Sequence, residues 1–99
     1  MRLSYHPDAE AELLDAVAFY EERVRGLGDQ FLHESKLAVS ELAGSPERWP
    51  IVEADIRRRI MRRFPFAIYF RVLESEIRRL VVKHHSRHPD YWRYRLDSS

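Results

Sequence analysis

The sequence predicts an α+β fold of order β-α-α-β-β-β, a curved antiparallel sheet of about four strands covered on one face by an α-helical hairpin. Three observations predict it. Residues 7–44 carry two apolar stripes at helical spacing, separated by glycines. Residues 56–84 are instead rich in β-branched and aromatic side chains, with strand-like alternation. The 99 residues, 44% hydrophobic and 33% charged, amount to one domain, 1–99, with apolar side chains enough for a single core.

Taken in order, "MRLSY" alternates Leu3 and Tyr5 with polar neighbours and reads as a first strand, stopped by Pro7. Pro7 suits the first turn of a helix, where its missing N–H costs nothing, and Asp8, Glu10 and Glu12 suit the positive end of the helix dipole. Ala9, Leu13, Val17, Tyr20 and Val24 then make one apolar stripe, which "RGLGDQ" breaks at Gly26 and Gly28. Leu27, Phe31, Ser35, Ala38 and Leu42 make a second stripe, widened by Leu32, Leu37 and Val39 and ended by "AGSPERWP". A link this short joins the helices as an antiparallel hairpin. "IRRRIMRRF" reads as a strand with a cationic exposed side. "FAIYFRV" follows, with Phe66, Ile68, Phe70 and Val72 on one face, and "IRRLVVKH" is the last strand. Both faces of "LVV" are apolar, which suits an interior place in the sheet.

The absence of cysteine fits a reducing compartment and removes disulfides, thiolate nucleophiles and cysteine-type zinc sites. No apolar run approaches the roughly 20 residues that span a bilayer, and the N-terminal stretch lacks a secretory core. A cytoplasmic protein without membrane contact is expected. The net charge of +1 conceals an asymmetry. Residues 1–55 hold 12 acidic and 5 basic side chains, a net of −7, whereas residues 56–99 hold 4 and 12, a net of +8. Such a split points to an anionic partner for the basic half, beside partial neutralisation within the fold.

The residues "YHPDAEAELLDAVAFYEE", "SPERWP" and "RRRIMRRFPFAIYFRV", with the ending "IRRLVVKHHSRHPDYWRYR", resemble in order and spacing the RelE/ParE toxins of bacterial type II toxin–antitoxin systems. The resemblance covers nearly the whole chain. It implies a growth inhibitor, a plasmid-stabilisation type of module, neutralised by a cognate antitoxin with which it would form a hetero-oligomer. Two modes of action follow from it. In the ParE manner the target is DNA gyrase and no catalytic centre is needed. In the RelE manner the protein is a ribosome-dependent, metal-independent endoribonuclease acting on ribosome-bound mRNA. A non-toxic nucleic-acid-binding module is the third reading, from the basic half alone.

Cutting RNA without a metal needs a base for the 2′-OH proton, cations for the phosphorane and an acid for the leaving oxygen. Carried over, the resemblance sets Arg87 at a phosphate-binding arginine, Tyr91 or Tyr94 near a C-terminal tyrosine, and Arg58 at a basic strand position. The arginine of the "FPFAIYF" strand is Ala67 here. His84, His85 and His88 titrate near neutrality and are alternatives as acid or base. If the chain is a ribonuclease, Arg87, His85 and Tyr91 are the expected catalytic set. The expected nucleic-acid or target surface is Arg57, Arg58, Arg59, Arg62, Arg63, His84, Arg87, His88, Arg93, Tyr94 and Arg95. Against this stand plainer roles: Tyr91 and Trp92 completing the core, and the arginine run as a solvated edge that deters strand pairing. No metal site or cofactor is expected, since His84 and His85, as strand neighbours, point to opposite faces.

Overall fold

The computed structural model describes residues 2–97. Its order is β1 (Arg2–Tyr5), α1 (Pro7–Arg23), α2 (Leu27–Gly44), a 3-10 turn (Pro46–Arg48), β2 (Ile51–Glu53), β3 (Ile56–Ile60), β4 (Phe66–Val72), β5 (Glu76–His84) and a final 3-10 turn (Arg93–Leu96). The five strands form one open sheet in the order β1-β5-β4-β3-β2. The α+β layout matches the expectation, with two differences in detail. β1 lies parallel to β5, while the other pairs are antiparallel. The alternation of Leu3 and Tyr5 fixes their face but is blind to strand direction. The additional strand, β2, is three residues long, too short for periodicity to register beside Pro50. It turns into β3 through Ala54, which holds a positive φ of 51°.

Helix α1 starts where His6 accepts the Asp8 N–H on Nδ1 at 3.1 Å, with Pro7 in the first turn. The interhelical link needs both of its glycines. Gly26 has φ +88°, and a Cβ on Gly28 would stand 2.6 Å from the Val17 carbonyl oxygen of α1. The Glu21 carboxylate accepts both of their N–H groups, at 2.9 and 3.0 Å.

The hairpin covers one face of the sheet. Leu13, Ala16 and Phe31 meet Met61, Phe64, Phe66 and Val82 there, and Ala38, Val39 and Leu42 meet Ile68, Phe70 and Ile77. Tyr20, Phe31, Phe64 and Phe66 form an aromatic cluster, with centroids 4.9–6.2 Å apart. The second face is not left to solvent. Trp92, 3% exposed, packs with Ile56, Ala67, Tyr69, Leu80 and Val81, and Tyr91 and Leu96 flank it. Sheet residues are therefore apolar on both faces, as "LVV" required. A register shift in the β4–β5 pairing at Tyr69/Phe70 leaves Leu80 unmatched, and Leu80 and Val81 both join the second cluster.

Strand β3 ends sooner than "IRRRIMRRF" suggests. After Ile60 the chain leaves the sheet, and Met61 and Phe64 turn into the helix-side core. The expected stripe residue Leu37 faces out at 51% exposure.

Candidate functional surface

Among the described residues, strand β1 pairs with residues 76–79 of β5 and no strand lies on that side beyond Arg79. Unpaired edge groups there need other partners. Glu12 of α1 and the C-terminal segment provide them. Glu12 Oε1 accepts the Val82 N–H at 3.0 Å, and Arg95 Nη1 donates to the Leu80 carbonyl at 2.8 Å. The same carboxylate binds Arg95 at 2.8 and 3.0 Å, the Tyr91 hydroxyl at 2.6 Å and Arg87 at 3.5 Å. Five donors thus converge on one carboxylate whose side chain is 12% exposed. The early glutamate read as a dipole partner is the hub of the tail; its place beside β5 depends on tertiary packing that no local pattern reveals.

This hub sets the chemistry of the expected catalytic residues. Burial, the hydroxyl's bond to Glu12 and the Glu12 charge hold the Tyr91 pKa well above the ordinary tyrosine value. A phenol so placed is poorly suited to exchange protons near neutrality. Arg87 lies over the Tyr91 ring at 3.7 Å while pairing with Glu12. Burial alone would lower the Arg95 pKa, but its bonds to Glu12 and Tyr94 outweigh that and raise it. Tyr94 itself is exposed; its hydroxyl donates to Asp8 and accepts from Arg95 Nε at 3.0 Å. Arg93 pairs with Glu53 at 2.7 Å and lies 3.9 Å from Asp90.

The histidines do not converge. His84 sits edge-on to Phe66 at 5.0 Å, and its Nδ1 accepts the Ser86 N–H at 3.0 Å. His85 is exposed and anchored through its backbone N–H to the Pro65 carbonyl at 2.9 Å. His88 is exposed, with Nδ1 accepting the Asp90 N–H at 3.1 Å. His84 and Arg87, with Glu12, Asp15, Ala16, Phe19, Tyr20, Phe66 and Val82, line an open groove of about 240 Å³ beside α1.

The arginine run is divided by the pleat. Arg57 and Arg59 lie opposite Phe70 and Ile68 on the helix side, whereas Arg58 lies opposite Tyr69 on the Trp92 side. Arg57 donates to the Trp49 carbonyl at 2.8 Å, and buried Arg59 pairs with Glu41 at 3.2 Å. Arg62 and Arg63 stand in the β3–β4 loop, whose main-chain N–H groups are held by Glu34 at 2.7 and 3.2 Å. Arg62 reaches Glu41 at 3.7 Å with its side chain 76% exposed, and Arg63 donates to Gln30 at 2.7 Å. Arg63 therefore does not share a face with Arg57 and Arg59, because β3 stops before it. The expected surface resolves into four parts: a tail tied to Glu12 and Glu53, a loop bearing exposed Arg62 and Arg63, Arg57 and Arg59 held on the helix side, and Arg58 on the Trp92 face. Lys83, absent from the expected set, joins Arg58 there, opposite Ala67.

Among the described residues, no helix is long and apolar enough to cross a membrane. No protein-family model matches the chain, and no curated protein matches it. A comparison with solved structures finds a chain of the "Chromosomal ParDE TA system from P. aeruginosa", 24% identical, with a TM-score of 0.67 over 85% of this chain and 95% of that one. At that identity the likeness shows the fold alone, and the α+β layout that this chain shares with that one is two helices on an open mixed sheet.

Proposed function

We propose that this chain is the toxin of a type II toxin–antitoxin pair, a cytoplasmic growth inhibitor neutralised by a cognate antitoxin, and that it acts on DNA gyrase by binding rather than by catalysis. The fold shared with a chain of a ParDE system supports the toxin reading. The observation that carries the mode of action is the Glu12 hub. It engages Arg87 and Tyr91 in holding the tail, and Ala67 supplies no cation at the strand position where ribonuclease relatives place an arginine. Arg62 and Arg63, on an exposed loop, are the residues we assign to target contact.

A ribonuclease reading retains one specific support: His85 is exposed in the turn just beyond β5, the strand that carries Lys83. Induction of the chain alone, followed by a gyrase supercoiling assay and primer extension on mRNA, separates the two. The gyrase reading expects arrested growth, inhibited supercoiling and intact messages. Discrete codon-linked cuts with unimpaired supercoiling would establish the nuclease instead. Harmless induction without a copurifying partner would remove the toxin reading itself.

A further inference from the structure

The groove beside α1 has no part in the inhibitor reading. Four aromatic rings, those of Phe19, Tyr20, Phe66 and His84, stand around a floor of Ala16 and Val82. The rings meet at steep angles: Phe19 is edge-on to Tyr20 at 5.3 Å, Phe66 to Tyr20 at 6.2 Å, and His84 to Phe66 at 5.0 Å. Rings so arranged wall a cup instead of paving a flat patch. Phe19 keeps 47% of its surface exposed there, a large apolar ring facing water.

The charges around the cup do not balance. Glu12 is spent on its donors, and one of these is Arg87, the cation that lines the groove. His84 adds no charge, since an Nδ1 that accepts the Ser86 N–H leaves the imidazole neutral. Asp15 is left over. It lines the groove, is exposed and makes no ion pair with a described residue. Aromatic walls beside one uncompensated carboxylate attract a cation through the ring quadrupole and the charge together. The chain itself shows the first half of this attraction. The Arg23 guanidinium lies 3.5 Å over the Phe19 ring, although Arg23 does not line the groove.

Size narrows the occupant. Drug-sized ligands fill enclosed pockets of roughly 300–1,000 Å³. An open groove of about 240 Å³ instead has room for one side chain, steadied by the body that carries it. Arginine suits it better than lysine, because a guanidinium stacks on a ring and forks to a carboxylate at once. We propose that the groove receives an arginine side chain of a partner protein, its guanidinium against the Phe19 ring and paired with Asp15. The site does not rest on the inhibitor reading; a chain that leaves gyrase untouched would keep it.

The test titrates the full, isotope-labelled chain at constant ionic strength with N-acetyl-arginine amide, with its neutral citrulline counterpart and with adenosine, following backbone amides by NMR. The arginine probe is expected to shift Ala16, Phe19, Val82 and His84 saturably at millimolar concentrations, and citrulline to bind at least tenfold more weakly. Asp15→Asn and Phe19→Ala should each weaken arginine binding at least tenfold. Both positions are exposed, so a thermal melt should find each variant folded. Glu22→Gln, an exposed acidic position of α1 that does not line the groove, should leave binding as in the parent. The proposal is overturned if citrulline binds as well as arginine, or if adenosine shifts these amides and arginine does not. It is also overturned if Glu22→Gln weakens binding as much as Asp15→Asn, which would make the attraction a general one to an acidic helix.

Discussion

Two arginine-rich stretches of this chain, residues 57–63 and 87–95, look alike in composition and end in opposite arrangements. In the C-terminal stretch every arginine reaches a carboxylate: Arg87 and Arg95 meet Glu12, and Arg93 meets Glu53. Those partners come from the acidic half, so part of the charge asymmetry is consumed in closing the fold. The strand run is instead dealt out by geometry. The pleat sends Arg59 to Glu41 and Arg58 to the opposite face, and the early end of β3 releases Arg62 and Arg63 to solvent. Charge density alone did not distinguish a stretch that holds the protein together from one free to meet a partner. Backbone period and the position of the nearest carboxylate did.

The tail half of this comparison is broken most severely at Glu12. Glu12→Ala strands Arg95, whose side chain is 4% exposed, and unties Tyr91 and Arg87 together. Breaking a buried pair from one side costs about 3–5 kcal/mol, and urea denaturation should show a loss of that size. Limited proteolysis should then cut first within residues 87–95. A loss below about 1 kcal/mol would mean the segment is held by packing alone.

Packing is tested next, at Trp92. Trp92→Ala should cost about 3–4 kcal/mol, the usual range for an emptied aromatic core site. Trp92→Phe keeps a ring against Tyr69 and removes an indole N–H that has no acceptor among the described residues, so its cost should be about 1 kcal/mol. Combined with Glu12→Ala, the Trp92→Ala loss should fall short of additivity, since both substitutions release one segment.

How much of this was legible beforehand differs by element. Periodicity and glycine breaks located both helices, and the buried faces of Ala9, Leu13, Phe31, Ala38 and Leu42 lie along the expected stripes. The apolar second face of β5 was visible in "LVV", and Trp92 packs on it. Three things were out of reach. Glu12 looks like any acidic residue in a first turn, because its five donors lie 70 to 83 residues away. Lys83 reads as a polar strand end until the partners around it are known. The exit of Met61 from β3 overrides a strand pattern that continues through Arg63, since the helix-side core needs the Met61 and Phe64 side chains.

A pH-dependent test probes the same tail through its other contact. His6 caps α1 with Nδ1, lies 6.4 Å edge-on to Tyr94, and is 7% exposed. Burial chiefly lowers its pKa; the charges of Arg95 and Arg78 lower it further, while Asp8 and Glu12 pull the other way. The unfolded chain takes up this proton near pH 6.5 and the folded chain only below that. Its contribution is therefore complete above about pH 6.5 and declines as pH falls from there through the lowered folded value. Tm should drop between pH 7.5 and 5.5, and His6→Asn, which keeps a capping acceptor but cannot titrate, should flatten the drop. An unchanged slope in His6→Asn would assign the dependence to another group.

The smallest stability change belongs to the loop arginines, and there smallness is informative. Arg62 is mostly exposed at 3.7 Å from Glu41, and Arg63 donates to a neutral amide. Exposed pairs of this kind contribute about 0–1 kcal/mol. The loop itself is fastened by main-chain N–H groups on Glu34, which a side-chain substitution leaves in place. Arg62→Ala combined with Arg63→Ala should thus leave Tm within a few degrees of the parent, by a thermal melt. If these guanidinium groups face a target or its DNA, the same chain should lose inhibition of gyrase supercoiling. Any DNA affinity it has should then fall less steeply with salt, by about two in the log–log slope when both arginines meet phosphates. A folded double variant that inhibits as the parent does would make the loop as structural as the tail, and the contrast between the two stretches would then be one of exposure alone.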